Sequence, residues 1–152
     1  MASTTNSKII NSNTATVYKA FTTPEALEQW LVPNAMKGKV HSFDLRIGGG
    51  YDMSLYYPES ENGSPGKSSD KEDRYTAKFI DIIPNKRIVT LITFHTDDPA
   101  LKGEMIQRVT FESQGKNTKV TFIFENIPIG IKPEDNEDGT MQSLNKLAIY
   151  VE

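Results

Sequence analysis

The stretch FDLRIGGGYDMSLYY, Phe43 to Tyr57, decides how the chain folds. Before the glycines, Phe43, Leu45 and Ile47 share one parity; after them, Tyr51, Met53 and Leu55 do the same. A period of two marks half-buried strands. Gly48, Gly49 and Gly50 stand between the two runs. A phosphate loop would need a helix opening directly after the glycines, so that its amide N–H groups and dipole face the anion. A strand follows instead, and no Lys-Ser/Thr pair adjoins it. The glycines therefore read as backbone geometry: a tight hairpin or bulge where a sheet bends sharply. The bend is expected to bring Phe43 and Leu45 onto one concave face with Tyr51 and Met53.

The same period recurs downstream. RYTAKFIDII and RIVTLITFHT are joined by the turn signal PNK, and EMIQRVTFES and KVTFIFEN by QGKNT. Between the first and second hairpins, Pro58 to Asp73 is a low-hydrophobicity stretch expected as a loop. Upstream, SKII reads as a short first strand. NSNTATVYKAFTTPEALEQWLVP then reads as two short helices. Asn13 is the expected N-cap of the first. Thr23 caps the second with Pro24 at its first position, and Thr22 with Glu25 offers a competing capping box. The tail opens on Pro133 with Glu134, Asp135 and Glu137 in an acidic start, and Met141, Leu144, Leu147, Ala148 and Val151 form one stripe at helical spacing.

This order, one strand, two short helices, six strands and a long helix, predicts an α+β fold. About seven antiparallel strands curl around the C-terminal helix, because no other element can cover their apolar face. Such a plan tends to leave a cavity between helix and sheet.

The bulk composition narrows the function. The 152 residues fit a single domain, 1–152. Apolar residues make up 37%, charged residues 24%, and the net charge is −3. No basic run points to nucleic acid. With no cysteine, disulfides, thiol catalysis and Cys-ligated metal are excluded. No apolar run approaches the roughly 20 residues of a membrane span. The polar start MASTTNSKII lacks a signal-peptide core, so a cytoplasmic location is expected.

Chemistry-bearing residues are few. His41 and His95 fall on strands at the polar parity, and no His-rich spacing suggests a metal site. No G-x-S-x-G elbow supports a Ser-His-Asp triad. An inward-facing His95 or Glu104 would signal a cyclase- or hydrolase-like enzyme, but both are expected outside. The acidic pairs at Glu72-Asp73 (with Asp70), Asp97-Asp98 and Glu134-Asp135 read as solvated surface. No catalytic residue, metal or cofactor is assigned. What remains is a concentration of apolar and aromatic side chains, read as core or as the lining of a cavity for an apolar ligand. From the second helix comes Trp30, and from the glycine hairpin Tyr51, Met53 and Leu55. The next strands give Phe79, Phe94, Gln107 and Val109, and the last strand and helix give Phe122, Phe124, Leu144 and Leu147. Gln107 is singled out: an inward amide needs a partner, because burying it unpaired is costly.

Four segments carry a family resemblance: ATVYKAFTTPEALEQWLVP, FDLRIGGGYDM, YTAKFIDIIPNKRIV and the terminal LNKLAIYVE. Its elements are Val17, Ala20 and Phe21; Pro24, Leu27 and Trp30; Asp44, Arg46, Gly48 and Gly49; and Pro84 with Arg87. Over Lys8 to Glu152 the chain resembles the Hsp90-ATPase-activator-homologue (AHSA1-like) branch of the START/Bet v 1-like (SRPBCC) superfamily. The resemblance implies a helix-grip fold with a hydrophobic cavity. It implies either binding of a hydrophobic or amphipathic small molecule or a stress-response partnership with an Hsp90-type chaperone, by a monomer or homodimer. Two departures stand out. Gly139-Thr140 replaces the Gly-Trp frequent in the family, which is expected to enlarge or open one end of the cavity or to remove a core contact. The Pro58 to Asp73 loop is longer than usual, as a lid would be.

Overall fold

Alternation on either side of the glycines does produce two strands of one antiparallel sheet. A computed structural model describes residues 2–33, 35–57 and 72–152. Among these, seven strands run in the order β1-β7-β6-β5-β4-β3-β2. They are β1 (Ala2–Ile10), β2 (Lys37–Asp44), β3 (Gly50–Tyr56), β4 (Glu72–Ile83), β5 (Arg87–Phe94), β6 (Met105–Gln114) and β7 (Asn117–Ile127). Helices α1 (Thr14–Lys19) and α2 (Pro24–Trp30) connect β1, at one edge of the sheet, to β2 at the other. Helix α3 (Pro133–Val151) follows β7. The α+β helix-grip arrangement is as expected.

Local sequence explains the helix boundaries. Asn13 Oδ1 accepts from Thr16 N at 2.8 Å, and Thr23 Oγ1 accepts from Ala26 N at 3.2 Å. The competing cap is not used: Thr22 Oγ1 donates instead to Lys19 O. In α3, Leu144, Leu147 and Ala148 are buried and Met141 and Val151 pack partly against the core. These helices are too short or too polar to persist alone, so burial of their apolar faces holds them.

The glycine hairpin is tighter than the alternation implied. Gly48 takes φ +88°, which only glycine adopts readily, and its N–H bonds Phe79 O at 2.9 Å. A Cβ on Gly50 would lie 2.1 Å from Ala77 O. The hairpin tip thus folds directly against β4. One expectation is corrected here. The strand ends at Asp44, so Leu45 and Ile47 are 37% and 63% exposed rather than on the concave face. A register shift between Val40 and Ser42 lets Val40 and Phe43 both face inward despite their odd spacing.

Two further boundaries differ from expectation. The first strand begins at Ala2, not Ser7, because it pairs with β7 as far as Ile127. Its inward positions Thr4 and Asn6 are polar, so its period was invisible as hydrophobicity. The expected loop from Pro58 to Asp73 lies outside the described residues up to position 71. Its last two residues, Glu72 and Asp73, belong to β4.

Helices α1 and α2 close one end of the groove between α3 and the sheet. Phe21 packs edge-on against Trp30 and Phe111, with ring centroids 4.5 and 5.0 Å apart. The Trp30 indole donates to Ala20 O at 2.8 Å, so it lies fully buried without an unpaired N–H.

Candidate functional site

The rest of the groove is not filled. A cavity of about 610 Å³ lies between α3 and the sheet, within the usual range for small-molecule sites. Its floor is Ile92 of β5, Met105 and Gln107 of β6, and Phe122 and Phe124 of β7. Leu55, Tyr57, Tyr75 and Phe94 form an aromatic-rich side. Across from them, α3 presents Asp135, Asn136, Gly139, Thr140 and Ser143, whose spacing of three and four residues puts them on one helix face. The lining of this face is small or polar, which is why space remains under the helix. Asp98, Leu101, Gly130 and Ile131 from two connections complete the wall, and Gly130 N anchors one to the other through Ala100 O at 2.7 Å.

Of the twelve positions expected from sequence, the structure brings five to this wall: Leu55, Phe94, Gln107, Phe122 and Phe124. Tyr51, Phe79 and Val109 instead surround, with Gln107, a second gap of about 10 Å³, at the lower limit for one water. Trp30, Met53, Leu144 and Leu147 line neither space and are wholly buried in the core. Sequence missed Tyr75, Ile92 and Met105, although their inward parity was available. It had no signal for Leu101 or Ile131, which come from connections. Gly139 and Thr140 do line the cavity, at the position where a Trp would have occupied it.

The polar groups inside are unusual. Gln107 is only 8% exposed, and among the described residues its amide has no hydrogen-bond partner. The buried Ser143 hydroxyl is likewise unpartnered among them. The Thr140 hydroxyl is satisfied by Asn136 O at 2.7 Å. Asp73, expected on the surface, is 2% exposed and accepts from the Tyr57 hydroxyl at 2.9 Å. Deeper in the core, burial pushes the Tyr51 phenol up to about 12, and burial with the neighbouring Tyr51 raises Tyr75 well above its ordinary value.

Among the described residues, the titratable groups outside the cavity do not assemble a nucleophile. His41 Nε2 lies 2.9 Å from Ser54 Oγ, and the Ser54 hydroxyl donates to Glu72. Having given its only proton to the carboxylate, Ser54 must accept from the imidazole, the reverse of what a general base requires. Ser54 is also completely buried. His95 and Glu104 are exposed. Beside His95, burial alone would raise the Asp52 carboxyl, but the hydrogen bond and charge of Arg74, 2.9 Å away, hold it below the usual range.

Comparison with known proteins agrees with the geometry. Residues 11–152 match the family model described as activator of Hsp90 ATPase homolog 1-like protein. A crystal structure of a Chromobacterium violaceum protein is 28% identical, with a TM-score of 0.85, over 98% of this chain and 96% of that one. The solution structure of an AHSA1-like protein from Aeromonas hydrophila gives 17% identity and a TM-score of 0.70, over 97% and 92% of the two chains. A solution structure from Arthrobacter aurescens gives 15% and 0.78, over 98% and 85%. No curated protein matches the chain. Among the described residues, no helix is long and apolar enough to cross a membrane.

Proposed function

The chain belongs to the activator of Hsp90 ATPase homologue 1-like family, and from that premise we propose that it binds a small amphipathic molecule in the cavity beneath α3. The observation that carries this reading is Gln107. Its amide lines the cavity without a protein partner among the described residues, an arrangement that a fully packed apolar core would avoid. It becomes useful if a ligand supplies the missing hydrogen bond. Around it, Phe94, Phe122 and Phe124 line the cavity with aromatic surface for an apolar body. Affinity would come from burying that body, at roughly 25 cal/mol per Å² before the costs of association, while Gln107 and Ser143 would orient its polar end.

The test is native mass spectrometry of gently purified protein, followed by thermal-shift titration with neutral aromatic alcohols. Co-purifying mass or a concentration-dependent rise in Tm is expected. Both should vanish in Thr140→Trp, whose indole occupies the cavity. If the wild type carries nothing and no compound raises its Tm, the reading is wrong.

A further inference from the structure

The three acidic pairs that read as solvated surface each send one member into the cavity wall: Asp73 from β4, Asp98 from the β5–β6 connection and Asp135 from the first turn of α3. No lysine, arginine or histidine stands among the described lining residues. Asp73 lies deep, whereas Asp98 and Asp135 are exposed at the rim. We infer that the ligand of this cavity is a cation, a protonated amine attached to an aromatic or aliphatic body. The inference rests on the binding role proposed above and deepens it.

Several observations converge. A carboxylate ligand, such as a fatty acid, would bring a further negative group beside the rim carboxylates Asp98 and Asp135 and would find no described basic side chain in the lining to pair with. The N-terminus of α3 borders the cavity and would ordinarily attract an anion. Here Glu134 and Asp135 already occupy that first turn. An ammonium group gains from the same arrangement, and the aromatic side chains Tyr75 and Phe94 line the same space. Gln107 lines the cavity without a described partner, and its amide can accept from an N–H donor as readily as it pairs with a hydroxyl. A metal ion fits less well, since among the described residues no three carboxylate or imidazole groups come close enough to share one.

The decisive experiment compares naphthylethylamine, naphthylethanol and naphthylacetate by isothermal titration calorimetry, on the wild type and on an Asp98→Asn/Asp135→Asn double variant. Both substitutions are on the surface, and at position 98 an asparagine side chain can still accept from Ala100 N as Asp98 does. The amine is expected to bind about tenfold more tightly than the alcohol, with the carboxylate weakest. That preference should shrink severalfold in the double variant and with added salt. If alcohol and carboxylate bind as well as the amine, the inference of a cation fails while the binding role stands. A preference unchanged in the double variant removes the rim carboxylates from the assignment and overturns it. Binding of none of the three overturns the binding role as well.

Discussion

Gln107 on β6 stands directly opposite Thr90 on β5, both side chains turned into the interior and neither with a hydrogen-bond partner among the described residues. Thr90 Oγ1 is fully buried and unpaired, and the Gln107 amide borders the cavity without a protein partner, so each is a stability sacrifice. Replacing each by an apolar group of similar shape should therefore stabilise the chain. Gln107→Leu and Thr90→Val are each expected to add about 1 kcal/mol, or a few degrees in Tm. The two should differ in function, however. Gln107 borders the large cavity and Thr90 only the small gap. Ligand affinity should fall in Gln107→Leu and hold in Thr90→Val. Denaturant titration beside calorimetry separates the two effects, and a destabilised Gln107→Leu would mean that the amide is satisfied after all.

The fold was legible because each strand from β2 onward is antiparallel to the next and most of these strands alternate openly. Gln107 was legible too, as an amide at an apolar parity. What stayed hidden has physical causes. Trp30 and Leu31 are neighbours in sequence, yet only Leu31 reaches the cavity, because the Trp30 indole turns back to Ala20 O. Composition carries no trace of that rotation. The register shift in β2 reassigns the faces on either side of His41 without any glycine or proline to announce it. Asp73 looked solvated because an acidic pair among polar neighbours usually is, and its burial depends on where β4 begins. The cavity itself is an absence of volume, set by small residues on α3 that sequence alone treats as weak helix formers.

Gly139 and Thr140 allow that interpretation to be tested in opposite directions. A Cβ on Gly139 would meet only Pro33 Cβ at 3.7 Å, an ordinary contact. Gly139→Ala should raise stability by about 0.5–1 kcal/mol through helix propensity and unfolded-state entropy, with little change in binding. Thr140→Trp, by contrast, should abolish binding while leaving the fold intact, because the cavity can receive the ring. Heteronuclear NMR spectra of both variants would reveal whether shifts stay local to the cavity wall. A Thr140→Trp variant that still binds with wild-type affinity would place the ligand elsewhere.

The hairpin glycines are not equivalent. Gly48 needs its positive φ, but a methyl group added there would meet nothing within 4 Å, so Gly48→Ala should cost about 1–2 kcal/mol of strain. Gly50 has the opposite problem, with Ala77 O at 2.1 Å. Gly50→Ala must separate β3 from β4, and a loss of more than about 3 kcal/mol is expected. Asparagine tolerates left-handed backbone, so Gly48→Asn should recover most of the loss at that position, while Gly50→Asn should be no better than Gly50→Ala. Urea denaturation of the four variants reads the pattern directly, and equal losses at the two glycines would contradict it.

Tyr51 and Tyr75 lie in one aromatic cluster, 6.1 Å apart between ring centroids, with the Tyr75 hydroxyl donating to Met53 Sδ at 3.3 Å. Burial raises both phenols, Tyr51 to about 12. In the unfolded chain a tyrosine titrates near 10, so with rising pH the unfolded state loses these protons first. The stability contributed by keeping the buried phenols neutral is therefore complete below about pH 10 and is lost progressively as the pH rises towards about 12, with Tyr51 alone accounting for on the order of 2 kcal/mol. Tyr51→Phe removes its share of this dependence and should flatten the fall in stability above about pH 10. Tyr150→Phe, at an exposed position, should leave the fall unchanged. Spectrophotometric titration gives an independent reading: with six tyrosines in the chain, two should ionise only as the protein unfolds. Complete phenolate formation in the folded protein near pH 10, with no loss of structure, would show that the Tyr51–Tyr75 cluster is open to solvent.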